Sequence, residues 1–236
     1  MTKTTNTKKQ ISRSKESLSE EIASFKKEKI LAEAANLFFD FGYARTSVQV
    51  IAEGLGVTKP FVYYHFENKL ALLSEICQRG TKEALSIAER ALSSKGTPSE
   101  RLFHFVEEFT ASSLINYKYV TIFFRESIHL SEADADAIKV MRKEIDRKLT
   151  ELLVEGINTG EFDIEDPILT GHAITGMASF PFSWYGLARR PNKESICRGI
   201  AMNALKMVQK ASAKSAAVAY EEPARIGKEM AASRAK

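Results

Sequence analysis

Residues 45–73 read RTSVQVIAEGLGVTKPFVYYHFENKLALL, and this stretch decides the fold. It holds two short helical patterns around a glycine. Thr46 stands where a side chain caps the first, which runs to about Gly54 with Val50 and Ile51 turned inward. Gly56 can supply the positive φ of a turn. Thr58 caps the second pattern, which runs to about Phe66. Pro60 is tolerated in its first turn, where no backbone N–H donor is needed. Ala52 is small where the two helices approach, and Val57 and Val62 are apolar where the second locks onto the first. Two short helices around such a turn make a helix-turn-helix, whose second helix enters the major groove of DNA. Glu67 or Asn68 then opens a long helix with Leu70, Leu73, Ile76 and Cys77 on one side.

Upstream, Ile30, Leu31, Ala34, Leu37, Phe38 and Phe41 recur at spacings of three and four, and Gly42 ends that stripe. Taken together the segment resembles the TetR family of transcriptional regulators. Thr46, Ile51, Ala52, Gly56, Val57, Thr58, Tyr63, His65, Phe66, Lys69 and Leu72 or Leu73 stand at the spacing of that family's helix-turn-helix pattern. Ala34–Phe38 followed by Gly42–Tyr43 is similar to its first helix. The resemblance covers about residues 25–75 closely. Beyond them only helix number and total length agree. It implies a three-helix DNA-binding head, an effector pocket within a C-terminal helical domain, and a homodimer through the last two helices.

The chemistry of each residue sets what it can do on DNA. Lys59, early in the second helix, can reach guanine O6 or N7, or a phosphate. Tyr64 and His65 can donate to phosphate oxygens, which fixes register without reading sequence. By resemblance Tyr63 also touches backbone or base; its alternative is a half-buried aromatic between helices. Lys69 resembles the family's phosphate-contacting lysine. Thr46 and Ser47 begin a helix whose N–H groups can bind a phosphate, or Thr46 only caps. Gln49 can approach base edges. Phe61 departs from the family, which often has a small polar residue there. It can pack on thymine methyl groups, or fold back onto Pro60 and the first helix. With Thr58 and Pro60 these complete the expected DNA-binding set.

The chain has 236 residues, 44% hydrophobic and 27% charged, the balance of a soluble globular protein. No apolar run approaches a membrane span, and no apolar stretch follows the N-terminal charges as in a secretory signal. Cys77 and Cys197 are isolated, which fits a reducing cytoplasm better than a disulfide framework. Net charge is +4, unevenly spread. Residues 1–29 carry eight Lys or Arg against four Glu, and residues 206–236 seven against three. The middle, 30–205, carries nineteen against twenty-three. Basic ends on an acidic body suit a polyanion, or serve only solubility.

The expectation is an all-α chain of about nine helices with no strand. Residues 1–22 form a disordered basic arm and 23–70 the helix-turn-helix domain. Residues 71–212 are the ligand-binding and dimerisation domain, and 213–236 a flexible tail. Ser94–Pro98 is the clearest break. After it come a Phe-rich helix to about Asn116, a shorter one over 119–129 and a long one from Glu132 to Asn158. A further helix runs from Asp166–Pro167 to about Arg189, kinked at Pro181, and a last from Lys193 to Lys210. Gly171, Ala173, Gly176, Ala178 and Ser179, with Ala201, Ala204 and Met207, offer small faces for the dimer.

The C-terminal half is rich in aromatics, which are core first and pocket second. The expected pocket set is Phe105, Phe109, Phe123, Phe124, Arg125, His172, Met177, Phe180, Trp184, Tyr185, Arg189 and Arg190. Trp184–Tyr185 through Arg189–Arg190 resembles members of the family that control steroid or fatty-acid catabolism and respond to acyl-CoA esters. A largely apolar effector with an anionic end, an acyl-CoA or aromatic CoA thioester, is therefore expected. The competing reading is a pocket for lipophilic cations, with Glu107, Glu108 or Glu126 as its acid. His104, His129 and His172 could ligate zinc, but no HxxxH or HExxH spacing, phosphate loop or nucleophile elbow is present. Neither an enzyme, nor a metal, nor a cofactor is expected. The other class weighed is a dimeric ligand-binding module whose DNA head is vestigial.

Overall fold

The protein, seen in a computed structural model, is described over residues 2–185 and 192–209. Its described regular structure is helical throughout. The helices are α1 (Thr2–Phe41), α2 (Val48–Gly54), α3 (Lys59–His65), α4 (Lys69–Ser93), α5 (Pro98–Ile115) and α6 (Tyr117–Glu126). Then follow α7 (Glu132–Asn158), α8 (Pro167–Ser179), the single turn α9 (Phe182–Tyr185) and α10 (Lys193–Val208). A 3-10 turn, Ser127–His129, extends α6.

Side chains start most of these helices. Asn68, Ser131, Asp166 and Asn192 each accept a hydrogen bond from a backbone N–H of the following first turn. Thr97 and Glu100 cap α5 reciprocally, and Pro98 supplies its pre-formed first residue. Gly42 and Gly56 take φ of +84° and +66°, which lets α1 end and the α2–α3 turn close.

Two apolar cores form. The first joins Ile30, Leu31, Ala34 and Phe38 of α1 to Val48, Ile51, Ala52 and Val62 of α2 and α3, and to Leu72, Leu73 and Ile76 of α4. Ile122 of α6 and Ile138 of α7 belong to the same cluster, so the head is not sealed off from the rest. The second core lies among α4, α5, α7, α8 and α10, around Leu102, Phe105, Leu149, Leu152, Leu153, Ile174 and Ala201. Each fully buried Leu or Ile contributes roughly 1.5–3 kcal/mol.

Several expectations fail in detail. The N-terminal arm is helical: α1 runs back to Thr2, with no Gly or Pro in residues 2–41 to interrupt it. Thr46 is not the cap. Ser47 is, its Oγ accepting from Val50 N at 3.3 Å. Val50 is exposed, and Val48, Ile51 and Ala52 are the inward residues. Pro181 does not kink a long helix. It ends α8 at Ser179, because it lacks the N–H that would continue the ladder. Gly171, Ala178, Ala201 and Ala204 are buried in the protomer's own bundle rather than spread on an outer face, whereas Ala173, Gly176 and Met207 are exposed. The expected tail, Arg189 and Arg190 lie outside the described residues.

Candidate DNA interface and ligand cavity

The α2–α3 unit is held from behind. Val57 N donates to Ala52 O at 2.9 Å and Gly56 N to Glu53 O at 3.0 Å, closing the turn. Val62 is buried and pins α3 to the head core. The opposite side of α3 presents Lys59, Pro60, Tyr63 and Tyr64 to solvent, with Thr58 exposed at its N-cap. Tyr64 is 83% exposed, its ring edge-to-face with His65 at 5.0 Å. Lys59 Nζ lies 5.7 Å over the Tyr63 ring.

Other members of the expected set are differently occupied. Thr46 is buried, and its Oγ1 donates to Gly42 O at 2.9 Å and Leu37 O at 3.3 Å, so its hydroxyl fastens the α1–α2 loop. Ser47 is exposed beside it. Gln49 Nε2 donates to Glu53 Oε1 at 2.8 Å, one turn on. Phe61 is half-buried against the head core, 5.1 Å from the His65 ring and with Lys26 Nζ 5.8 Å from its centroid. That geometry is packing. Lys69 Nζ donates to Tyr43 O at 2.9 Å and Thr46 O at 3.0 Å, 4.1 Å above the Tyr43 ring. Two of its three donors therefore tie α4 to the α1–α2 loop, and burial holds its pKa below the usual lysine value. Lys26 and Lys27, the latter over the Phe66 ring, bring two cations of α1 beside α3. The basic excess of residues 1–29 was their signal in the sequence.

His65 turns inward. Its Nε2 is buried without a hydrogen-bond partner among the described residues. Burial first, then Lys26 and Lys27, lowers its pKa below 6.5. The unfolded chain therefore takes up this proton before the folded head does. Stability is full above pH 7 and falls as pH drops through 6.5 towards the lowered folded value. His65→Gln should flatten that loss. Chemical denaturation midpoints of both proteins at pH 7 and 5 check it, and an equal loss in both would contradict it.

Below the head lies a cavity of about 470 Å³ between five helices. Of the expected pocket residues Phe109, Phe123, Phe124, His172 and Phe180 line it. Phe105 is in the core instead, and Met177 and Tyr185 pack half-buried against it. Trp184 is 38% exposed and does not line the cavity. Arg125 points away and donates to Phe39 O at 3.3 Å. The sequence reading missed Cys77, Gly80, Thr81 and Ala84 on α4, Ser112, Ser113 and Asn116 on α5, Tyr119 and Val120 on α6, and Arg142, Ile145 and Asp146 on α7. Thr175, Gly176 and Ser179 complete the α8 wall. The Cys77 thiol is pushed up to about 12 by burial, with Glu126 and Asp134 adding to it, so it lines the wall as a neutral group. His104 is exposed and does not line the cavity. Among the described residues no three His, Cys, Asp or Glu side chains gather as a metal site, and no helix is long and apolar enough to cross a membrane.

A helix-turn-helix head with an outward recognition helix, built on a helical domain with an internal cavity, defines a DNA-binding, ligand-binding regulator. Residues 30–76 match the bacterial regulatory proteins of the tetR family, and residues 95–208 match the tetracyclin repressor-like C-terminal domain. The chain belongs to the tetR family of transcriptional regulators, which are DNA-binding proteins and not enzymes. It is 35% identical over 80 residues to the transcriptional activator FasR of Mycolicibacterium smegmatis, 34% of this chain and 36% of FasR, so the match spans about a third of that relative. It is 26% identical over 141 residues to the transcriptional repressor KstR2 of the same organism, 58% of this chain and 67% of KstR2. The crystal structure of AibR in complex with isovaleryl coenzyme A and operator DNA is similar, with TM-score 0.66 and 26% identity over 75% of this chain and 96% of that one.

Proposed function

We propose that the chain is a cytoplasmic, homodimeric, ligand-responsive repressor that places one α3 per protomer in successive major grooves of an inverted-repeat operator. The observation that carries this reading is the outer face of α3. Lys59, Tyr63 and Tyr64 stand exposed on a helix whose other side is fixed in the core. Lys59 reads a base edge, Tyr64 and Ser47 meet phosphates, and Lys69 acts by holding the loop carbonyls. FasR is named an activator and KstR2 a repressor, so the sign follows operator position as much as fold.

The dimer uses α8 and α10, where Ile168, Leu169, Met202 and Met207 are exposed. The effector enters the cavity. It is largely apolar with an anionic end, carried by a carboxylate or by the phosphates of an acyl-CoA or aromatic CoA thioester, as the isovaleryl coenzyme A bound to AibR suggests. Lipophilic cations fit less well, since Glu107, Glu108 and Glu126 do not line the cavity and its one carboxylate, Asp146, faces His172.

The test is fluorescence anisotropy on an operator selected by the full chain from random duplex DNA. Affinity should fall steeply with salt, since each neutralised phosphate adds roughly −0.9 to the log–log slope. Lys59→Ala should reduce discrimination between the selected site and a one-base variant by about 5- to 150-fold, the worth of one good base contact. Failure to select any sequence, or a variant with unchanged discrimination, would overturn the role of α3.

A further inference from the structure

The cavity walls are aromatic, but one part of the rim is charged. Arg142 and Asp146 are one turn apart on α7, and His172 faces them from α8. Asp146 Oδ1 lies 3.7 Å from His172 Nδ1, so that carboxylate has a partner. Arg142 has none: no acidic side chain among the described residues lies within ion-pair distance of it, and its guanidinium sits 6.0 Å over the Phe123 ring. Arg45 and Arg198 likewise have no acidic partner among the described residues, but of these three Arg142 alone lines the cavity. Arg147, on the same helix, pairs with Glu144 and Glu151, Arg79 with Glu28 and Arg90 with Glu108. Arg142 is exposed at the cavity rim, where a ligand anion can reach it.

Size narrows what that is. A space of about 470 Å³, open to solvent on one side, lies in the lower half of the roughly 300–1,000 Å³ range of small-molecule pockets. That suits a monocarboxylic acid with a ring system or a medium chain. Arg125, expected at the mouth for phosphates, is turned to the Phe39 carbonyl, which leaves Arg142 as the arginine that lines the cavity among the described residues.

We propose that the cavity takes a free hydrophobic carboxylic acid, its carboxylate held on Arg142 and its apolar body among Phe109, Phe123, Phe124 and Phe180. A guanidinium matches a carboxylate in a planar, two-bond fork, and the Phe123 ring lies 6.0 Å from it. The Asp146–His172 pair meets any hydroxyl or keto group on the body. The inference rests on the effector reading above and names the chemical class that the cavity selects.

The experiment is calorimetry on the protein alone, without DNA. Its failure is therefore separate from any failure to bind an operator. The probes are phenylacetate, cyclohexanecarboxylate and octanoate, the neutral amide of each, octanoyl-CoA, and tetraphenylphosphonium. At least one acid should bind at least tenfold more tightly than its amide, and Arg142→Gln should remove that difference while the amide binds as before. Three results would overturn the proposal. They are equal affinity of acid and amide, an Arg142→Gln protein with undiminished preference for the acid, and binding confined to the CoA ester or the cation.

Discussion

Gly199→Arg combined with Met202→Arg should give a folded monomer that no longer holds an inverted repeat. Both positions are exposed on α10, and a side chain added at Gly199 meets nothing within 4 Å in the protomer. Glycine inside a helix costs about 0.5–1 kcal/mol relative to alanine, and the protomer's own packing does not require it here. The second protomer of the proposed dimer, approaching closely, would. Met202 and Met207, with Ile168 and Leu169 on the adjoining α8, supply the apolar area such a contact needs. A nanomolar complex is worth about 12 kcal/mol. Dividing it between two heads leaves each about 6 kcal/mol, a dissociation constant of tens of micromolar and within the range of non-specific binding. Operator affinity should therefore drop by about a thousandfold or more, with helical content unchanged. Light scattering and anisotropy read the two effects on one sample. A variant that stays dimeric, or a monomer that keeps its affinity, would remove α8 and α10 from the interface.

The head was legible because its signals are local. A glycine with positive φ, small and apolar residues at fixed offsets, and polar caps lie within thirty consecutive residues. Errors there are one position wide. Thr46 and Ser47 are both good capping residues, and only the tertiary fold decides that Thr46 turns back to the carbonyls of Leu37 and Gly42. Val50 illustrates a second limit: over two turns of helix the apolar pattern does not say which of Val48 and Val50 faces in. The cavity was barely legible, since it is made where side chains are missing. Gly80, Thr81 and Ala84 open it from α4, and residues from Cys77 to Phe180 meet in it only after folding. Arg142 looks in sequence like any charge on the wet face of a long helix. Its place on the cavity rim, with Asp146 turned to His172 instead, shows only in the folded chain.

The same geometry indicates how the cavity reaches the head, and it gives the second large effect. One side of α6 lines the cavity through Tyr119, Phe123 and Phe124. The other side grips α1 and the loop after it. Lys118 Nζ donates to Asn36 Oδ1 and Arg125 Nη1 to Phe39 O, while Glu126 Oε1 accepts from Tyr43 N at 3.3 Å. His129, 3.6 Å from the Glu126 carboxylate, stacks at 5.3 Å on the Tyr43 ring. Tyr43 and Thr46 are also the residues whose carbonyls Lys69 holds, so a shift of α6 acts on the loop that sets α2 and hence α3. Arg125→Ala with Glu126→Ala cuts two of these links and touches no cavity wall. Effector affinity of the free protein should stay within about threefold. The weakening of operator binding by saturating effector, typically 5- to 150-fold in such coupled systems, should fall to less than about half its value on a logarithmic scale. Because coupling is reciprocal, operator DNA should lose its effect on effector affinity to the same extent. Titrating each ligand in the presence and absence of the other measures both. Full release of DNA from the double variant would show that the signal runs through α4 or through the dimer instead of α6.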